Sequence, residues 1–251
     1  MVVIGGWSIL QDCARGDWSV SSAAVGRLKD AILLRLNLDR ADMAAAWIKP
    51  ELPFLILAIR RMIPFIDGSA IPHSKKVLRK HIDEGATTHD GRSDYKHIEW
   101  TRTNAAQCIA LCWSMGAAAR IIETTEGVDL IESVVDIMHK VSVAKNDNSD
   151  DSNTGLPTRF RGQCVGALAV LRISLSVEIK PTTKLVYSIN TTNVRSALVQ
   201  KCDHCLSLVQ DDFPNVHAIM TTHGKNDPSV ASKGVARQKI GWCVWLLFHF
   251  T

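Results

Sequence analysis

The sequence predicts an all-α domain, and three observations carry that expectation. Apolar residues recur at helical spacing along nearly the whole of the 251 residues. Only "MVVIG" (2–5 with Met1) and "KLVYSI" (184–189) are short β-branched runs, and neither has a hairpin partner with a turn between them. Apolar residues make up 46% and charged residues 22%, enough to bury a sizeable core, so residues 1–251 are expected to form a single helical domain.

The elements follow in order. "WSILQDCAR" is a short amphipathic piece ended by Gly16. Asp17 or Ser19 caps the next helix, where Ala24, Leu28, Ile32 and Leu36 repeat at every fourth position. "DRADMAAAWIK" precedes "PELPFLILAIRRMIPFI", whose Pro50 and Pro53 suit the first turn of a new helix, where a missing N–H is no loss. Residues 67–94 form a looser polar stretch around one predicted helix, "SKKVLRKHID". A long helix, "YKHIEWTRTNAAQCIALCWSM", runs up to Gly116. After "AARIIETTEG" comes "VDLIESVVDIMHKV", which keeps Leu130, Val134, Ile137 and Val141 on one face. The segment 145–157, "KNDNSDDSNTGLP", has almost nothing to bury and is expected to be a flexible loop. Beyond it lie "TRFRGQCVGALAVLRISL", "NVRSALVQKCDHCLSLVQ", "PNVHAIMTTHG" and a last helix from about Ser229.

The net charge of +4 is mild, far from the concentrated field of a dedicated nucleic-acid binder. Seven scattered cysteines, an odd number, do not suit a disulfide framework and point to a reducing compartment, cytoplasmic or nuclear. The first residues lack the basic stretch of a signal peptide, and the longest apolar run, "GWCVWLLFHF" at 241–250, is too short to span a bilayer. That run is apolar on every side. It is expected to pack into the domain, to dock on a partner or second copy, or to face the next unit of a longer array.

A weak internal repeat is present. "NAAQCIALCWS" (104–114) and "FRGQCVGALAVL" (160–171) share Gln-Cys followed by a β-branched residue and then small and leucine-type residues. After the first comes "ARIIETTEGVDLIESVVDIM", a connector, a glycine and an apolar helix. This succession resembles armadillo repeats, and HEAT repeats fit about as well. The resemblance covers about two-thirds of the chain, with spacing nearer ~50 residues than the ~40–47 typical of such units. It implies a right-handed α-solenoid; an irregular helical bundle is the alternative. In the armadillo family a tryptophan and an asparagine hold an extended peptide. Here Gln107 and Gln163 fall near the tryptophan position, with Leu111 and Ala167 near the asparagine position, so those binding residues do not carry over.

Candidate sites divide into one metal pattern and several charge clusters. Cys202-x2-Cys205 followed by His217-x5-His223 lies near a zinc-finger spacing. Against it, Val194, Leu198, Cys202, Cys205 and Val209 recur at 4, 4, 3 and 4, which places them within about 80° on a helix turning ~100° per residue. The expectation is a helix with core cysteines, a turn at Asp212 or Phe213, and a second helix opened by Pro214. The basic cluster Lys75, Lys76, Arg79 and Lys80, with Arg92, Lys96 and Arg102 nearby, is the candidate partner-binding surface for an acidic protein segment. Nucleic acid is the alternative partner of this 73–102 region, weakened by the lack of interleaved aromatics. His81, His89 and His97 with Asp83, Glu84, Asp90 and Asp94 have no fixed spacing that would make a hydrolase or metal site, and residues 147–151 fail the calcium-loop pattern. Phosphate-binding, nucleophile-elbow and zinc-protease motifs are missing. No catalytic residue, cofactor or metal ion is assigned, and the chain is not expected to be an enzyme. The function this predicts is a protein-binding scaffold or adaptor.

Overall fold

In a computed structural model, residues 23–27, 29–30, 41–69, 89–114, 116–144, 158–176 and 189–221 are described, and every element among them is helical. After a helical piece within 23–30 come α1 (Ala41–Asp67), α2 (His89–Ser114), α3 (Ala117–Ile121), α4 (Gly127–Val143), α5 (Thr158–Ser176), α6 (Ile189–Ser207) and α7 (Pro214–Thr221). The all-α expectation therefore holds for these residues. The segments 70–88, 145–157 and 222–251, which include the predicted basic helix, the polar loop and the last apolar helix, lie outside the described residues.

Two boundaries differ most from the sequence expectation. Pro50 and Pro53 do not open a helix, because α1 is continuous from Ala41. Proline supplies a helical φ and costs one hydrogen bond and a steric contact. Downstream of Pro53, Leu55, Ala58, Ile59, Met62, Phe65 and Ile66 are buried along one side, and that burial holds the helix together through Pro64 as well. The second difference is α2, which begins at His89, six residues before the expected Tyr95.

The helices pack in two rows. In one, α4 lies between α1 and α6; in the other, α2 lies against α5. The piece at 23–30 joins α2 through Lys29, whose ammonium donates to Asn104 Oδ1 at 2.8 Å, and through Cys108, whose thiol approaches the Val25 carbonyl at 3.7 Å. Contacts of α1 with α2, of α4 with α5 and of α5 with α6 join the rows. The most extensive single contact is α2 on α5. It is made by the two segments that share the Gln-Cys pattern.

The burial of α5 explains its sequence. Residues 160–171 are all buried, on every side of the helix. A helix enclosed in this way shows no amphipathic stripe and needs small residues to let its neighbours approach; Gly162, Cys164, Gly166, Ala167 and Ala169 supply them. In contrast, α4 is plainly two-faced. Leu130, Ile131, Val134, Val135, Met138 and Val141 are buried, while Asp129, Glu132, Ser133 and Asp136 face water. Of the expected stripe, Ile137 lies at its edge, half-buried.

Two glycines shape the corner between the rows. Gly116 has φ +80°, in the left-handed region that only glycine adopts cheaply, and its N–H donates to the Trp113 carbonyl at 2.9 Å to end α2. At Gly127 the requirement is space. A Cβ there would lie 1.7 Å from the Ile121 carbonyl oxygen, so the turn after α3 closes only over a glycine.

Helix C-termini are closed from outside by the neighbouring helix. The last carbonyls of a helix have no partner within it. Arg102 of α2 donates to the Ile66 carbonyl at the end of α1 (2.8 Å), and its guanidinium lies 4.4 Å over the Phe160 ring of α5. Arg161 of α5 donates twice to the Ser142 carbonyl at the end of α4 (3.0 and 2.9 Å) and lies 5.5 Å over the Phe213 ring. Arg195 of α6 donates to the Leu175 carbonyl at the end of α5 (2.8 Å), and Ser174 Oγ donates to the Trp113 carbonyl at the end of α2 (2.5 Å). Each arginine clasp joins a helix to its predecessor, and two of them reach onward to an aromatic ring of a later element.

Candidate functional site

The region 194–221, where the sequence suggested a metal pattern, folds as a helix, a turn and a second helix. Along α6 and just beyond it, Leu198, Cys202, Cys205 and Val209 are buried, with Val194 half-buried, as their 4, 4, 3, 4 spacing predicted. Phe213 is buried at the turn, and Pro214 opens α7. The Phe213 carbonyl accepts from the N–H groups of Val216 and His217. His217 is exposed, and His223 lies outside the described residues.

Burial sets the chemistry of the cysteines. It pushes the Cys202 thiol up to about 12, and the nearby Cys205 and Asp203 add to the effect. Burial raises Cys205 as well, with the Asp136 carboxylate contributing. Cys112 and Cys164 are likewise pushed up to about 12 by burial. Metal binding and nucleophilic attack both require thiolate, so at neutral pH these side chains serve as small apolar packing groups. Among the described residues no cluster of three or more His, Cys, Asp or Glu is placed to hold a metal ion.

A groove opens beside this packed stripe. The helices α6 and α7 are consecutive in the chain yet scarcely touch, since α7 packs on α5. The space between them is a cavity of about 300 Å³. Val165 of α5, Leu206 of α6, Val209 and Phe213 of the turn, and Val216 and Met220 of α7 line it with apolar surface. Polar groups form its rim: Arg172 pairs with Asp203 through Nε (2.8 Å) and Nη2 (3.3 Å), and Gln210, His217 and Thr221 stand on the other side. The floor is apolar, and on the rim the Arg172 guanidinium is held by Asp203.

The turn that forms the groove's end is anchored. Arg161, itself buried, donates to Asp212 Oδ2 at 2.6 Å besides holding the Ser142 carbonyl, and its guanidinium stacks over Phe213. This anchor was invisible to sequence reading, because it joins residues 19 and 51 positions apart. Sequence reading does not single out Leu206 or Met220, although Val216 and Met220 four apart in a proline-started helix are a signal that points to Met220.

Along the row of α1, α4 and α6, exposed ion pairs stitch helices side by side. Arg60 of α1 pairs with Glu126 at the start of α4, and Asp136 of α4 pairs with Lys201 of α6 at 2.7 Å. Lys75, Lys76, Arg79 and Lys80, the sequence-predicted partner surface, lie outside the described residues, as do His81, Asp83 and Glu84. Gln107, Gln163, Leu111 and Ala167, the residues compared above with peptide-binding positions, are all buried. Among the described residues no helix is long and apolar enough to cross a membrane.

What the described residues define is a class, an all-helical arrangement with an apolar surface groove. Compared with known protein families, curated proteins and solved structures, the chain finds no match that would narrow it further.

Proposed function

We propose that this chain is a protein-binding scaffold or adaptor built as a right-handed α-solenoid of armadillo/HEAT-like units. The two-row packing supports the solenoid reading: α1, α4 and α6 are successive members of one row, and α2 and α5 of the other. Gly127, where a Cβ would collide with the Ile121 carbonyl, fits the glycine position of the resemblance. The groove between α5, α6 and α7 carries the functional reading. It would take one apolar face of an amphipathic helix, with Leu206, Phe213 and Met220 receiving its anchor side chains. The basic residues Lys75, Lys76, Arg79 and Lys80 would add long-range attraction for an acidic partner, chiefly by speeding encounter.

The test is a selection of helical peptides on the full-length chain. Amphipathic sequences should be enriched, and their affinity should fall at least tenfold for Leu206→Glu and Met220→Glu while the helical circular dichroism is unchanged. Enriched peptides that bind both variants as well as the parent would place the docking surface elsewhere. Enrichment of none would remove the reading. The quadruple Lys75/Lys76/Arg79/Lys80→Ala variant should slow association with acidic peptides at low salt and leave dissociation unaltered.

A further inference from the structure

We propose that the groove is the seat of this chain's own apolar run at 241–250, which continues the row of α1, α4 and α6. The proposal rests on the reading of the groove as a helix-docking surface and names its first occupant. The run itself lies outside the described residues, and its place follows from the arrangement around the groove.

The chain alternates between the two rows. With the short α3 set aside at its corner, α1 lies in the first row, α2 in the second, α4 in the first, α5 in the second and α6 in the first. Then α7 packs on α5, in the second row. The next element is therefore due in the first row, beside α6 on the side away from α4. The groove opens on that side. Lys201 of α6 faces α4 through its 2.7 Å pair with Asp136. At ~100° per residue, Asp203, Leu206 and Ser207 stand about 140–240° round the helix from Lys201, and all three line the groove. Its other wall is α7, through Val216, His217, Met220 and Thr221.

The run at 241–250 supplies a matching surface. It carries Trp242, Trp245, Leu246, Leu247 and Phe248 and no Asp, Glu, Lys or Arg. A buried aromatic side chain removes ~150–250 Å² from water, so the run and the apolar floor both gain by meeting. The cavity of about 300 Å³ has room for the side chains of a helix laid along it, between the walls that α6 and α7 provide. Nineteen residues, 222–240, separate α7 from the run. Extended, they reach roughly 60 Å, about twice the ~28 Å length of α6, so the chain can return to lie along that helix.

Photocrosslinking on the full-length chain tests this. A benzophenone residue replaces Ser207 of α6 or Thr221 of α7, both exposed and both lining the groove, and a control replaces Ser133, exposed on α4. Ordinary and ¹⁵N-labelled copies are mixed before irradiation, so that crosslinks within one chain are told from those between two. Both groove positions should crosslink to 239–250 within one chain, and the control should not. No crosslink to that run from either position would overturn the proposal, as would crosslinks found only between chains or an equal yield from the control. The double variant Trp242→Asp/Trp245→Asp should lower the yield at both groove positions at least fivefold. It should also raise the affinity of selected groove-binding peptides at least tenfold, because they compete for the same seat; equal affinity in parent and variant would overturn the shared seat. The two readings fail separately. Crosslinks to the run with no peptide enriched would uphold this seat and remove the partner-docking reading. Peptides that need Leu206 and Met220, in a chain without those crosslinks, would do the reverse.

Discussion

α5 and the α6–α7 pair each contain buried cysteines and apolar residues, yet they are opposite kinds of structure. Between residues 160 and 171, α5 meets neighbours on all sides, and its polar side chains Arg161 and Gln163 are buried with the rest. By contrast α6 buries one stripe, shows Ser196, Gln200, Asp203 and His204 to water, and leaves a gap before α7. The first region holds helices together and reaches the groove only through Val165. The second has surface to offer because its packing is incomplete. In this fold, enclosed and open packing are separated along the chain, with Arg161 joining them: it starts in the enclosed helix and ends on the groove's turn.

If that separation is real, mutations in the two regions differ most where burial differs most. Phe160→Ala removes a ring that is 1% exposed and takes away the surface beneath the Arg102 guanidinium. It should cost about 3–5 kcal/mol in denaturant unfolding. Leu206→Ala, on the half-buried groove floor, should cost roughly 1 kcal/mol. Similar losses at the two sites would erase the distinction.

The next effect tests the link between the regions. Arg161→Met leaves the Ser142 carbonyl and the Asp212 carboxylate without their donor and should cost about 2–3 kcal/mol. Methionine keeps much of the apolar stem, so the loss reports the hydrogen bonds more than the packing. Hydrogen exchange should speed up in 208–213 and remain slow in 163–171. Faster exchange confined to α5 would show that Arg161 serves the enclosed helix alone.

Alkaline pH separates the thiols by a smaller step. Cys112, Cys164 and Cys202 ionise near 9 when unfolded and at about 12 when folded. Below about pH 9 both states keep the proton, and the pH has no effect through these groups. Between about 9 and 12 the unfolded chain releases protons that the folded chain keeps, so stability falls by roughly 1 kcal/mol per pH unit for each thiol. Cys112→Ala and Cys164→Ala should each flatten the slope of unfolding free energy against pH. An unchanged slope in both would mean that these thiols are not sealed from water.

These contrasts mark what was legible in the sequence. The buried side of α6 was readable from the spacing of Val194, Leu198, Cys202, Cys205 and Val209, because a helix with one wet face writes its burial as a period. The same spacing makes Cys202 and Cys205 packing groups, and both are buried. The α5 segment carries no such period, since a helix buried all round has no wet face to set one. Its small residues were read as one half of a repeat, and they serve a close helix–helix contact. Arg102 and Arg161 could not be found by pattern at all. Their partners are carbonyl groups, which any residue supplies, at the ends of helices whose meeting depends on the whole fold. Pro50 and Pro53 misled for a related reason: local chemistry favoured a new start, and tertiary burial downstream kept α1 continuous.

The smallest expected effect is at the groove's rim, and it is the one that most sharply tests the comparison between buried and exposed arginines. Arg172 makes as good a fork to Asp203 as Arg161 makes to its partners, at 2.8 and 3.3 Å. The difference is solvent: the side chains of Arg172 and Asp203 are 31% and 47% exposed, whereas that of Arg161 is 9% exposed. Water competes for the rim pair and salt screens it, so Arg172→Met should cost no more than about 1 kcal/mol, shrinking toward zero in ~0.5 M salt. The Arg161→Met penalty should persist at the same salt concentration, because the carbonyl it leaves behind is enclosed. Urea unfolding of both variants at low and high salt measures the two side by side. Equal penalties with equal salt dependence would mean that the turn at 208–213 is as wet as the rim. In that case Arg161 would be no anchor for the wall of the groove, and α6 and α7 would have to be held in place by their own apolar contacts with α5.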